Sequence, residues 1–210
     1  MIKVLLLATT LATVPAWPSV LFLEAIERGW VSTGDPGNNG ADAGNNYFAG
    51  QVFSDEYRNW FEFSIPDFSG TLASATLILT QPQPGGHAGD NLLYSVYGLA
   101  NQPVQFSDVT DVLLYGSAAT GPSGAGSVSV TLDAAALAAI AADKGGDFLI
   151  GGSDSGEFSV SDAYDFGGTD QRYRTLLSLT IVPEPRMATP LVVLIFSLLL
   201  GAYGRGALNV

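Results

Sequence analysis

Short alternating apolar runs, separated by clusters of Gly, Pro, Asn, Asp and Ser, fill the chain from residue 30 to residue 181. In residues 127–132 every second side chain is apolar, and the residues between them carry hydroxyl groups. A period of two places one set of side chains on the inner face of a strand and the other in water. Many such strands with turn residues between them are typical of an all-β sandwich.

These runs predict about eight strands. Six of them have inward-facing sets made of Phe61, Phe63 and Ile65; Ala75, Leu77 and Leu79; Leu92, Tyr94 and Val96; Val128, Val130 and Leu132; Phe148 and Ile150; and Leu177, Leu179 and Ile181. Two further short strands are expected near residues 47–49 and 112–115. We therefore expect residues 30–181 to form a single β-sandwich domain.

One short helix is predicted to interrupt the strands. Asp133 can cap its N-terminus, residues 134–142 are rich in alanine, and Gly145 and Gly146 end it. Aspartate is a favoured N-cap, alanine is the best helix former, and glycine is common just beyond a helix C-terminus.

Charge and composition exclude several functions. The chain has 20 acidic and 8 basic residues, a net charge of −12, no cysteine and one histidine, His87. An acidic surface repels phosphate backbones, so nucleic acid is not an expected partner. Thiolate nucleophiles, Cys-based zinc sites and sites built from several histidines of one chain are also excluded.

The N-terminus has the three parts of a secretory signal peptide. Lys3 gives a positive start, residues 4–14 form an apolar run broken only by threonines, and Val14 and Ala16 stand where a signal peptidase reads small residues. We expect residues 1–16 to be removed, which leaves Trp17 first. Cleavage after Ala25 is the alternative, and a buried N-terminal helix is the competing interpretation.

A second apolar stretch, residues 187–203, contains no charged residue. Its 17 residues lie at the short end of what spans a bilayer, and it is apolar on every face. Pro190 falls in its first turn, where a missing N–H costs little. We expect a transmembrane helix here; a core helix of a soluble protein is the alternative.

Immediately before this stretch stands Val182-Pro183-Glu184-Pro185, which two prolines hold extended. Together with the apolar stretch and Arg205, this arrangement over residues 182–210 resembles the PEP-CTERM sorting signal of exported bacterial proteins. The resemblance implies recognition by an exosortase, a membrane-embedded cysteine protease-transpeptidase, and association with extracellular polysaccharide or biofilm. The terminal arginine cluster of that family is reduced here to Arg205.

The body of the chain resembles the jelly-roll modules of bacterial surface proteins, including carbohydrate-binding-like modules. The resemblance rests on residues 57–63 and 74–77, and on residues 147–152 after the predicted helix. It implies a jelly-roll-like sandwich and indicates the fold more than a ligand.

A glycan site is one candidate for chemistry on the sheet. Glu62 stands two residues from Trp60 on the same face of a strand, and Tyr97, like Trp60, is out of phase with its strand's inward set. Exposed aromatic rings can stack on sugars, and a buried carboxyl beside a second one could hydrolyse a glycosidic bond. The competing interpretation places Glu62 on a solvated face near Arg58, with the aromatic residues in the core.

A structural calcium ion is the only cofactor that the sequence suggests. Asp35, Asn38, Asn39 and Asp42 form a loop rich in the oxygen ligands that Ca²⁺ prefers. The loop lacks the ligand pattern of an EF-hand, and a turn-rich polar loop without metal is the alternative.

These features predict an exported, non-catalytic bacterial surface or matrix protein, sorted by an exosortase-type enzyme and associated with exopolysaccharide. We expect it to be tethered to the inner membrane before processing and to reach the cell surface or the extracellular space afterwards. The alternatives are an adhesion module with a protein partner and an enzyme that acts on polysaccharide through Glu62.

Overall fold

The computed structural model describes residues 17–34, 46–47, 49–52, 54–81, 93–102, 104–109, 113–120, 126–155, 162–165 and 174–184. The predicted signal peptide, calcium loop and transmembrane helix lie outside these residues. Within them the chain forms one α-helix, α1 (Ala134–Ala142), one 3-10 helix (Phe106–Val109), and eleven strands: β1 (Ser19–Glu24), β2 (Glu27–Ser32), β3 (Ala49–Val52), β4 (Asp55–Ser64), β5 (Thr71–Gln81), β6 (Leu93–Gly98), β7 (Leu114–Ala119), β8 (Gly126–Thr131), β9 (Asp147–Ser155), β10 (Asp162–Asp165) and β11 (Thr175–Val182).

The strands form two antiparallel sheets. The four-stranded sheet has the order β1-β11-β5-β8, and the seven-stranded sheet has the order β10-β3-β4-β9-β6-β7 with β2 also paired to β4. Tyr57 of β4 pairs with both Ser32 of β2 and Gly50 of β3, so those two strands lie on opposite sides of β4. Since Trp60 pairs with both Gly29 and Gly151, β9 also lies opposite β2. Strand β2 is therefore an edge strand.

The hydrophobic core lies between the sheets, where the inward sets predicted from the alternation are buried, except for Leu92, which lies outside the described residues. Phe61, Phe63, Leu77, Leu179 and Val130 are all fully buried in it. The prediction of a mostly β protein with two packed antiparallel sheets and one short helix is confirmed.

The structure has more strands than the eight or so predicted. Strand β1 precedes residue 30, where the sandwich was expected to begin, and β2 begins before it; β10 lies in an acidic stretch that was not assigned to a strand. In β1 the residues from Val20 to Leu23 are all apolar. A continuous apolar run has no alternation by which a strand can be recognised.

The predicted helix is present with the predicted cap. Oδ1 of Asp133 accepts a 2.9 Å hydrogen bond from the backbone N–H of Ala136, and Gly145 follows the helix with φ +74°. Ala136 and Ile140 are buried in the core, and the helix packs against β5 and β7. In the part of the chain that the structure describes, no helix has the length and apolar character needed to cross a bilayer.

The first and last described residues leave the molecule side by side. Strand β1 is antiparallel to β11, and Ser19 at the start of β1 lies opposite Ile181 near the end of β11. Residues 17–18 and 183–184 therefore emerge at the same end of the four-stranded sheet. Thr71, at the start of β5, pairs with Val182 at this end as well.

Candidate functional site

The predicted sorting motif begins at the last residue of the four-stranded sheet. Val182 closes β11, Pro183 is half-buried and Glu184 is exposed. The motif therefore follows the folded domain directly, without a flexible spacer. Pro185 and Arg205, the other predicted members of the signal, lie outside the described residues.

Gly70 packs closely against this exit. Its φ of +112° is a backbone conformation that L-residues with side chains rarely adopt, and a Cβ atom there would lie 2.5 Å from the carbonyl oxygen of Val182. Only glycine combines this conformation with so close an approach. The turn before β5 therefore supports the chain where it enters the motif.

Glu62 lies in a group of polar residues on the outer face of the seven-stranded sheet. Its cross-strand partner is Glu27 of β2, and Gln102 reaches over both carboxyl groups. The Gln102 Nε2 donates to Oε2 of Glu62 at 2.5 Å and to Oε2 of Glu27 at 3.1 Å. The amide thus bridges two carboxyl groups that stand directly opposite each other.

The surroundings favour the protonated form of Glu62. Burial raises its pKa above the ordinary value, and the negative charges of Glu27 and Asp147 raise it further. A hydrogen bond between the carboxyl groups of Glu62 and Glu27 acts in the same direction, while the bond from Gln102 opposes it. One proton shared between two carboxyl groups is the usual result of such proximity.

The two carboxyl groups of this pair lie close together. Both Oε2 atoms contact Nε2 of Gln102, at 2.5 Å and 3.1 Å, so they are at most 5.6 Å apart, the sum of the two distances. Glycosidases hold their two carboxyl groups about 5–5.5 Å apart for retention, or about 6.5–9.5 Å apart for inversion. The pair is therefore closer than an inverting glycosidase requires, and the Gln102 amide contacts both groups.

Trp60 is fully buried, which does not fit the possible glycan contact and agrees with the interpretation that places the aromatic residues in the core. It packs with Val31, Val104 and Val109 in a second, smaller core on the outer face of the seven-stranded sheet, and Tyr97 lies half-buried at its border. The segment that covers this second core, residues 104–109, contains the 3-10 helix. A ring buried in this way cannot stack on a sugar, whereas Tyr97 keeps part of its surface in water.

Arg58 of β4 connects the covering segment, residues 104–109, to the sheet. Its Nη1 donates to the carbonyl oxygen of Phe106 at 2.8 Å, and its guanidinium carbon stands 3.7 Å from the centre of the Phe106 ring. It also forms an ion pair with Glu56, at 3.0 Å.

Sequence reasoning missed the partners of Glu62. Glu27 belongs to the unpredicted strand β2, and Gln102 comes from a segment that carried no strand or helix signal. The apolar residues Val104, Phe106 and Val109 were the available sign that this segment packs on the sheet.

The predicted calcium ligands Asp35, Asn38, Asn39 and Asp42 lie outside the described residues. Among the residues that the structure does describe, no three His, Cys, Asp or Glu side chains are grouped as a metal site would require.

Comparison with protein-family models gave no match, and comparison with curated proteins gave none either.

Proposed function

We propose that this chain is an exported bacterial surface or extracellular-matrix protein that an exosortase-type enzyme processes at Pro183–Pro185. In this role it is tethered by residues 187–203 until processing. Its jelly-roll-like body is non-catalytic and associates with exopolysaccharide.

The observation that carries the proposal is the position of the motif. Val182 is the last strand residue, Glu184 is exposed, and the conformation of Gly70 packs the preceding turn against this exit. A processing enzyme in the membrane would therefore meet an extended segment whose start is held by the fold. Five Cα–Cα steps separate Val182 from Met187, a span of at most about 18 Å.

The charge of the chain supports the extracellular role. A net charge of −12 suits a protein that stays soluble among polymers and does not adhere to nucleic acid. The proposed association with polysaccharide rests on the resemblance of the sorting signal and of the body.

The experiment is the intact mass of the protein from a bacterial host that carries an exosortase. We expect the recovered protein to lack residues 1–16 and everything beyond the motif. Replacing Pro183, Glu184 and Pro185 together by alanine should leave a precursor with its C-terminal segment in the membrane fraction.

The chain offers a matched control in a second Pro-x-Pro element, Pro82-Gln83-Pro84. Replacing these three residues by alanine changes the same number of prolines away from the proposed signal and should leave processing unchanged. Removal of the same C-terminal residues from the wild-type protein and from the Pro183–Pro185 variant would contradict the proposal.

An adhesion module with a protein partner is the second candidate. An enzyme that acts on polysaccharide ranks below it and rests on Glu62, whose pKa is raised beside Glu27. Its test is turnover of a glycan panel by the wild-type protein and by Glu62→Gln. Hydrolysis that the substitution abolishes would favour the enzyme over the non-catalytic role.

A further inference from the structure

Exposed apolar side chains lie on the outward face of β1 and beside its start. On β1, Phe22 is 60% exposed and Val20 55%; Trp17, two residues before β1, is 82% exposed, and Val182, at the neighbouring end of β11, 39%. We call these four residues the β1 patch. Val20 lies opposite Thr180 and Phe22 opposite Ser178, so the patch continues into neutral hydroxyl side chains.

The β1 patch lies where the chain leaves the sheet on both sides. Because Ser19 faces Ile181 across the β1–β11 pair, the segments before residue 19 and after residue 182 depart together. On the proposed function, on which this inference rests, the second of these segments enters the bilayer at Met187. The short span between Val182 and Met187 keeps this end of the sheet close to the lipid surface.

Charge on this sheet is confined to the opposite end. Among the described outward-facing residues of β1, β5, β8 and β11, the charged side chain is Glu24, which pairs with Arg174 at 2.6 Å. In a chain of net charge −12 this face can approach lipid headgroups without burying an unpaired charge.

Tryptophan and phenylalanine side chains are well suited to the headgroup layer of a membrane. The exposed aromatic residues Trp17 and Phe22 therefore suit contact with lipid.

We propose that the β1 patch rests on the lipid interface of the membrane while the C-terminal segment is inserted, so that the four-stranded sheet lies against the bilayer and the seven-stranded sheet faces away. The partner is the interface of a lipid bilayer, contacted through apolar side chains and not through charge. Processing at the motif then removes the tether and leaves only this weak contact, which allows release.

The absence of cysteine makes this arrangement measurable in the full chain. Phe22→Cys and Val20→Cys place a nitroxide label in the patch, and Ser129→Cys places one on the same face at the far edge strand, β8. The labelled chains are reconstituted into phosphatidylcholine vesicles. Collision rates with oxygen and with a water-soluble nickel chelate are then compared.

We expect the oxygen-to-nickel collision ratio at residues 20 and 22 to exceed that at residue 129 at least threefold. If the chains co-float with the vesicles but the collision ratios at residues 20, 22 and 129 are equal, the patch contact is overturned and the membrane tether of the proposed function is not. Chains that do not float would overturn both the tether and the patch contact.

A second copy of the chain is the competing occupant of the patch. Spin–spin broadening at residue 22 that disappears on dilution with unlabelled protein would show that copies pair through β1, and it would overturn the lipid contact. Trp17 gives an independent measurement: brominated lipid should quench the fluorescence of the wild-type chain more strongly than that of Trp17→Phe.

Discussion

The phenol of Tyr94 donates a 2.7 Å hydrogen bond to Oδ1 of Asn59, and both side chains are fully buried. The Nδ2 of Asn59 donates in turn to the carbonyl oxygen of Tyr47 at 2.9 Å, and the Tyr47 hydroxyl donates to the carbonyl oxygen of Thr80 at 2.7 Å. These bonds cross the core from β6 and β4 of one sheet to β5 of the other. These hydrogen bonds hold the two sheets in one position relative to each other.

Asn59→Leu should lower the free energy of unfolding by about 1–3 kcal/mol, because it removes both the acceptor of the Tyr94 phenol and the donor to the Tyr47 carbonyl. Urea unfolding measures the change. Tyr94→Phe removes one bond and should cost about 1 kcal/mol. If the two changes are coupled, the double variant will be less destabilised than the sum of the single ones. If the losses of unfolding free energy of the two single variants are strictly additive in the double variant, the Tyr94–Asn59 hydrogen bond does not couple the two residues.

Gly152→Ala should destabilise the protein because the side chains of Tyr94 and Asn59 fill the space beside the Gly152 backbone. An added Cβ would overlap the Tyr94 phenol and lie 2.6 Å from Oδ1 of Asn59. Overpacking of this kind costs about 1–3 kcal/mol. Gly146→Ala is the control, since its Cβ would meet its nearest neighbour, the Asp143 carbonyl oxygen, at an ordinary 3.5 Å. Equal unfolding midpoints for the two variants would contradict the expectation.

Glu62→Gln should stabilise the protein at neutral pH by about 0.2–1 kcal/mol, the usual size of a cross-strand like-charge repulsion. The folded-state pKa of Glu62 is raised, so its contribution is fully present below the pKa of the unfolded chain, about 4.5, and is lost as the pH rises through the folded value. Thermal unfolding from pH 4 to pH 8 should therefore show less loss of stability in the variant than in the wild type.

Asp67→Asn, at an exposed position, serves as the control for this measurement. It removes one exposed carboxylate and leaves both Glu27 and Glu62 unchanged. Glu27→Gln should reproduce part of the effect of Glu62→Gln, because it removes one of the charges that raise the Glu62 pKa. A pH profile that is the same in Glu62→Gln and the wild type would show that the pair does not limit stability.

Asp133→Ala should lower stability by about 1 kcal/mol through loss of the helix N-cap. The bond from the Ala136 N–H to Oδ1 of Asp133 is 2.9 Å long. Asp133→Asn or Asp133→Ser should recover most of the loss, since both side chains accept the same bond. A variant series in which alanine equals serine would indicate that the cap does not stabilise the fold.

The mature N-terminus should be Trp17 and not Ile26. Cleavage after Ala25 would remove β1, whose Leu21 and Leu23 pack against the core and whose backbone pairs with β11 along its length. N-terminal sequencing of the exported protein distinguishes the two sites. A chain that begins at Ile26 should unfold at lower urea concentration by about 2 kcal/mol or more, from the burial of these leucines alone.

Local patterns predicted the parts of the fold that depend on neighbours in sequence. The alternation of Val128 and Val130 with serines predicted β8, because successive side chains of a strand point to opposite faces. Asp133 and Gly145 predicted the two ends of α1, since a cap and a stop act within a few residues. The signal peptide and the helix of residues 187–203 stay predictions.

Only the tertiary structure decided which residues far apart in the chain are in contact. Alternation placed Trp60 and Glu62 on the face away from Phe61 and Phe63, but alternation cannot say that a segment some forty residues later covers that face. Nor can it place Ser19 opposite Ile181. Strand order and coverage follow from which surfaces bury the most apolar area together, and that is a property of the whole chain and not of any stretch of it.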